Sequence, residues 1–242
     1  MLVENYPFVN RLTVKQVAVS VGNLATMVQI FVSAFFAIFY QLTKCIFELR
    51  IPLVIEDLIQ QMSSYVQFSE QERELLSESL EEITIIKGEH ILRIGQVCHH
   101  LSLIESGLSM HYLLHDGVEI PVDFQGEGEW VAYLKSFMNR TASDMGIKVL
   151  EDTHLYRLSA EKFQKLMELD AGKVMKLKNY YTEQSFIKNT QHSADMAMLS
   201  AKERYQKFVN ENPALHNRIP QYYIAAYLGI KPQSLSRIRK EV

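Results

Sequence analysis

The chain has 242 residues, 48% of them apolar and 22% charged, with a formal net charge of −3. That length suits one large domain or two modest ones, the composition makes most of the chain globular, and the charge excludes a uniformly basic protein while leaving room for a local basic patch. Two cysteines, Cys45 and Cys98, with no CxxC spacing exclude a zinc site or iron–sulfur cluster held by cysteine alone, and a disulfide framework, which fits a reducing cytoplasm.

In chain order, the first feature is a run without charge from Gln16 to Thr43. Within it Leu24–Tyr40 is apolar enough to span a bilayer as a helix. Arg11 and Lys15 precede it and Lys44 and Arg50 follow it, so the positive-inside rule sets no orientation. It is too long for a signal-peptide core. Three readings stay open for residues 1–50: a membrane anchor, a helix packed on the rest of the protein, and a start codon assigned too far upstream.

From Ile51 to Tyr65 the apolar residues Leu53, Ile55, Leu58, Ile59 and Met62 recur at helical spacing. Ser69 with Glu72 forms a capping-box pattern for a second short helix. Short strands punctuated by glycine follow: Ile83–Ile86, His90–Ile94, Leu101–Ile104, Leu108–Leu114, Val118–Phe124, then Ile147–Leu150 and His154–Leu158. Asp116-Gly117 between two alternating runs is a hairpin signal. Strands of this length and rhythm predict a jelly roll. Ser159 starts another helix, and a long one spans Ala171–Met198 with a broken apolar seam that calls for a partner. Ser200 caps Ala201–Asn210, and Pro213 breaks the chain before a compact helical ending.

That ending carries the function. Counting from Gln221, Ala225 is fifth, Gly229 ninth, Leu235 fifteenth and Ile238 eighteenth. Two helices crossing steeply need a small residue at the contact, here Ala225, and a sharp turn needs the positive φ that Gly229 reaches freely. Ile224, Leu228, Ile230, Leu235 and Ile238 supply the apolar faces, and Pro232 suits a first helical turn. The second helix then shows Gln233, Ser234, Ser236, Arg237 and Lys240 on its open side. Glutamine can bond adenine edges and arginine can fork onto guanine; Arg239, Lys240 and Arg218 suit phosphates. A glycine between two helices is by itself weak evidence, but the whole set is that of a DNA-reading helix-turn-helix.

A β-roll, a long helix and a small C-terminal helix-turn-helix resemble the Crp/Fnr family of bacterial regulators. The similarity rests on Glu203-Arg-Tyr205, Arg218 to Ile230, Ser234 to Arg239, Ile104-Glu-Ser-Gly107 and Leu150-Glu-Asp-Thr153, and it runs from about Leu53 to the C-terminus. The resemblance implies a homodimer joined through the long helix, with one recognition helix per subunit in successive major grooves of a palindromic site and Gln233, Ser236 and Arg237 at the base-reading positions. It also implies a cyclic-nucleotide-binding type of β-roll. In the cyclic-AMP-binding members a Gly-Glu pair on a short helix and a following Arg-Ser pair hold the ribose and phosphate. Here Ala142 stands where the arginine is needed, Ser143 is retained, and Gly126-Glu127 and Gly128-Glu129 lie ahead of the helix, with Arg140 nearby. A phosphate buried without a fork is costly, so cyclic AMP is not expected. Trp130, Tyr133, Arg140 and Ser143 are the candidate lining of a pocket for an unknown small effector, and no cofactor or metal is expected.

Other chemistry fails on pattern. No Gly-x-Ser-x-Gly, phosphate-cradling glycine loop or cupin His-x-His occurs, and Asp123, Glu127 and Glu129 read as loop carboxylates without an acid–base partner. His99, His100, His111 and His115 read as solvent-facing, not as haem ligands. An enzyme is not expected. The predicted architecture is α+β: an N-terminal extension (1–50), a double-stranded β-helix (jelly-roll) sensor domain (51–170), a dimerisation helix (171–198) and a winged-helix-like helix-turn-helix domain (199–242) lacking a C-terminal wing. The expected partners are double-stranded DNA, a second copy of the chain and RNA polymerase, with a membrane only through the N-terminal segment, in the cytoplasm. The rival is an effector-sensing or interaction module with a degenerate helix-turn-helix, whose partner is a protein or a membrane.

Overall fold

Ser69 sets the first boundary. Its hydroxyl accepts from the Glu72 amide at 3.3 Å and the Glu72 carboxylate accepts from the Ser69 amide at 2.6 Å, the reciprocal box that the spacing predicts. It opens α1 (Glu70–Ser79) in a computed structural model that describes residues 66–241. The hydrophobic extension and the helix predicted over Ile51–Tyr65 lie outside the described residues.

Helix α1 runs directly into β1 (Leu80–Ile85), three residues before the strand predicted at Ile83. The cause is tertiary. β1 pairs with β8 (Thr153–Ser159) from Leu80↔Leu158 to Ile85↔Thr153, which recruits Glu81 and Glu82 that look polar and unstructured in isolation. The remaining strands are β2 (His90–Leu92), β3 (His100–Ser106), β4 (Ser109–His115), β5 (Val118–Gln125), β6 (Trp130–Val131) and β7 (Gly146–Val149). They form two antiparallel four-stranded sheets, in the orders β1-β8-β3-β6 and β2-β7-β4-β5. The β4–β5 hairpin turns at Asp116 and Gly117, with φ of 50° and 79°, the paired positive angles of a type I′ turn. β6 had no sequence signal because it is two residues long and pairs only with Ser102 and Leu103. After it comes α2 (Leu134–Asn139), the short helix that the family resemblance implied.

Inside the roll Leu92, Cys98, Ile104, Val131, Phe137 and Ile147 form one buried cluster. A second cluster crosses out of the roll. Leu108, Met110, Tyr112, Phe124 and Leu150 pack with Tyr205, Phe208, Leu215, Ile219 and Tyr223 of the C-terminal segment. Strand β4 is therefore buried on both faces over its first half: Met110 and Tyr112 meet the C-terminal helices while Ser109 and His111 face the other way. His111, read from sequence as solvent-facing, is 8% exposed.

Ser159 caps α3 (Ala160–Leu169) and Asp170 caps α4 (Ala171–Met198), each through an oxygen accepting an amide three residues on. Lys173 binds both Glu72 oxygens at 2.9 and 2.7 Å, tying α4 to α1. Among its 28 residues α4 has none fully buried. Ser200 and Glu203 make a second capping box for α5 (Ala201–Glu211), and α6 (Gln221–Tyr227) and α7 (Pro232–Glu241) close the chain. Among the described residues no helix is long and apolar enough to cross a membrane.

Candidate nucleic-acid interface

Helices α6 and α7 meet across Gly229, whose φ is +64°. The Gly229 amide donates to Ala226 O at 3.0 Å and the Ile230 amide to Ala225 O at 2.9 Å, so the turn is closed by backbone alone. Ala225 is fully buried at the crossing, with Ile224, Leu228 and Leu235 buried around it and Ile230 and Ile238 packed at the edge. At Gly229 a side chain would be strained by φ alone, and its Cβ would stand 2.6 Å from Met196 Cε. Arg204, named in the sequence only within Glu203-Arg-Tyr205 and given no role there, completes the unit. Its Nε donates to Leu228 O at 3.1 Å and its Nη1 to Leu199 O at 2.6 Å, satisfying carbonyls at two helix ends.

With its apolar side fixed, α7 presents the rest outward. Gln233, Ser236, Arg237, Arg239 and Lys240 are exposed and Ser234 is half-buried. Lys231, Arg237, Arg239 and Lys240 face a single acid, Glu241, on this stretch. The result is a basic, hydrogen-bonding row carried on a rigid apolar back.

Arg218 is not on that row. Expected on phosphate, it is held instead by the β-roll. Nη1 and Nη2 fork onto Glu127 at 3.0 and 2.8 Å, Nη2 also donates to Gly107 O at 3.0 Å, and Glu151 closes the group from the other side. The Arg218 hydrogen bonds hold the Glu127 carboxyl down to about 2, with help from the Gly107 amide. Beside this latch Tyr223 donates to Glu119, which also takes two bonds from Lys148 at 2.8 and 3.1 Å. Burial, then the Glu119 bond, pushes the Tyr223 phenol well above its ordinary value. Leu215 fits against Gly126, where a Cβ would come within 2.7 Å of its Cδ2. The helix-turn-helix is thus seated on the roll through its first helix, leaving the second free.

Helix α4 touches both partners at successive turns. Lys188 pairs with Asp123 at 2.6 Å, the His192 ring stacks on Tyr227 at 4.3 Å, and Asp195 accepts from Lys207 at 2.5 Å. Behind Asp123 runs a buried polar chain. Gln125 Nε2 donates to Asp123 at 2.6 Å, and Gln125 Oε1 accepts from His111 Nδ1 at 2.8 Å. His111 therefore carries its proton on Nδ1, and burial lowers its pKa.

A cavity of about 500 Å³ lies between the roll and α4, walled by Trp130, Phe137, Phe163, Leu177 and Tyr181 and reaching Asp123 and Lys188. Of the residues expected to line an effector pocket only Trp130 does so. The other three fall elsewhere because α2 and its loop consume them. Tyr133 stands at the N-cap position of α2, where Asp144 raises its phenol pKa; Arg140 ends α2 at φ +56°, its guanidinium 4.9 Å above the Phe137 ring. The Ser143 hydroxyl is spent on Met145, donating to its carbonyl at 2.5 Å and accepting from its amide at 3.1 Å. No cationic fork therefore faces the cavity from this loop. Among the described residues no group of three or more His, Cys, Asp or Glu is gathered as a metal site.

Comparison with known proteins agrees with this architecture. The model of the cyclic nucleotide-binding domain family matches residues 82–170. Among curated proteins none matches the chain. Among solved structures, the c-di-GMP-responsive global regulator CLP of Xanthomonas campestris superposes with a TM-score of 0.60 at 15% identity, over 72% of this chain and 91% of that one. FixK2 of Bradyrhizobium japonicum gives 0.59 at 19% identity, over 67% and 83%. A protein of Eubacterium rectale assigned to the Crp/Fnr family of transcriptional regulators gives 0.58 at 22% identity, over 72% and 83%. Residues 82–170 are thus similar to the cyclic nucleotide-binding domain family, and the chain that carries them shares the fold of these Crp/Fnr-type structures.

Proposed function

We propose that this protein is a homodimeric transcriptional regulator, not an enzyme, that reads a palindromic operator with α7 in the major groove. The observation that carries the proposal is the exposed row Gln233, Ser236, Arg237 on a helix whose opposite side is locked by Ala225, Leu228 and Leu235. Gln233 and Arg237 are the side chains that can bond adenine and guanine edges, and Arg239 and Lys240 can neutralise flanking phosphates. Dimerisation is supported by α4, which holds Phe186 at 70% and Ile187 at 59% exposure on a helix about 42 Å long. Apolar side chains of that size on a long helix are normally covered by a second helix. Cyclic AMP is not its signal: Ala142 leaves no cation at the phosphate position, and Arg140 is turned onto Phe137. The apolar cavity beside α4 is the place for a different small effector.

The test is selection of bound sequences from a random duplex pool with the full-length protein at two salt concentrations. A palindrome with half-sites about 34 Å apart, bound more weakly as salt rises, is the expected result. No enrichment at either salt, with and without a metabolite extract, would remove operator reading and favour a sensor that acts on another partner.

A further inference from the structure

A second cavity, of about 740 Å³, opens between the two sheets of the roll near β1, β2, β3 and β8. Its floor is apolar, from Leu92, Ala132 and Ile147, but one wall is not. Ser102 lies directly across the β3–β8 ladder from Arg157, and Arg157 lies directly across the β1–β8 ladder from Glu81. Residues opposed in this way point to the same face with Cβ atoms about 5 Å apart. His100, two residues from Ser102, shares the face and also lines the cavity.

The hydrogen bonding on this wall is incomplete. Ser102 is fully buried, and its Oγ has no partner among the described residues; nor does the buried Nε of Arg157. Buried polar groups are nearly always satisfied, because a hydroxyl or guanidinium N–H withdrawn from water without an acceptor is costly. The Arg157 fork is only part used: Nη2 reaches Glu81 at 2.9 Å, and the Glu81 side chain is 59% exposed at the rim. Glu81 is thus a surface carboxylate that can be exchanged for another acceptor at little cost. Two unsatisfied donors, a guanidinium and an imidazole converging on a partly apolar chamber call for a ligand that brings acceptor oxygens and negative charge.

We propose that this cavity binds a small anionic molecule, with a carboxylate or phosphate group accepting from Arg157 Nε and Ser102 Oγ beside His100, and its carbon body over Leu92 and Ile147. The site is separate from the chamber beside α4 and does not depend on operator reading. It sits two residues before Ser159, the cap of α3, and so at the root of the helices that lead to the DNA-binding unit.

The experiment is calorimetric titration of the full-length protein, without DNA, with inorganic phosphate and separately with butyrate, against sodium chloride at matched ionic strength. Binding of either probe supports the site and says which acid it takes. Glu81→Gln removes the competing carboxylate and is expected to tighten binding severalfold. Arg157→Gln is expected to weaken it by about tenfold or more, and Ser102→Ala by about threefold. Thermal unfolding without ligand checks that each variant folds, and should Arg157→Gln fail to fold, Glu81→Gln decides alone. Affinity unchanged in both charge variants, or no binding of either probe to the wild type and to Glu81→Gln, would overturn the proposal and leave a water-filled mouth.

Discussion

Arg237 and Arg218 carry the same charge and end in different places, and the difference defines what each can do. Arg237 stands exposed on α7, so Arg237→Ala is expected to lower specific operator affinity by about 1–3 kcal/mol and relax the preferred sequence, with the unfolding temperature unchanged. Unchanged binding in a titration of labelled operator would remove it from the reading row. Arg218 is committed to Glu127 and Glu151, and its effect should be read in a carboxyl titration. Glu127 is depressed from 4.5 to about 2 in the folded chain, so its contribution is fully present above its unfolded value and is lost as pH falls toward 2. The latch is therefore expected to be indifferent to pH between about 5 and 9. Carbon NMR of labelled glutamate should place the Glu127 midpoint near 2 in the wild type and return it toward 4.5 in Arg218→Ala. Gly229 was legible in the sequence because its role is local: a positive φ between two apolar helices. Gly229→Val should cost about 1–3 kcal/mol, mostly backbone strain, while Gly229→Asn should cost much less, by thermal unfolding. The partners of Arg218 were not legible, since they lie 91 and 67 residues away and no local pattern links them.

At the scale of elements, what could be read depended on whether the neighbour was near in sequence. The Ser69–Glu72 capping box, the Ser200 cap, the Asp116-Gly117 hairpin and the long helix are fixed by residues within a turn of one another, and each appears where the spacing puts it. β6 exists only because β3 offers it two pairing residues, and β1 starts early because β8 continues alongside it. His111 misled because a half-exposed strand was assumed, whereas β4 has the roll on one side and the C-terminal helices on the other. Helix α6 is held on the roll by Arg218, Tyr223 and Leu215, so a double variant Arg218→Ala, Tyr223→Phe is expected to lose amide protection from Ile224 to Leu228 while β3 and β8 keep theirs. Equal protection in the two proteins, by hydrogen exchange and mass spectrometry, would mean that apolar packing alone seats the helix.

Over the whole molecule, the exposed side of α4 is the surface with the plainest demand. Phe186→Glu with Ile187→Glu should leave the fold of one chain intact, because neither side chain is buried there, yet convert a dimer to monomers in sedimentation. Each residue withdrawn from such a seam forfeits about 1.5–3 kcal/mol. Operator affinity should fall in parallel, since two recognition helices then no longer arrive together. Monomeric wild type, or dimers that persist in the variant, would place the interface elsewhere.

The cluster that joins Met110, Tyr112 and Phe124 to Phe208, Ile219 and Tyr223 has a consequence for protein engineering. Regulators of this shape invite the cutting and grafting of parts, a reader from one chain onto the receiver of another. Here a cut after α4 would divide one hydrophobic interior between two pieces, each left with a raw apolar wall. A chimera built at that boundary should aggregate unless the acceptor roll also carries Gly126, Glu127 and Glu151 to receive Leu215 and Arg218. Inheritance of these C-terminal helices is expected to go with their roll, as one piece.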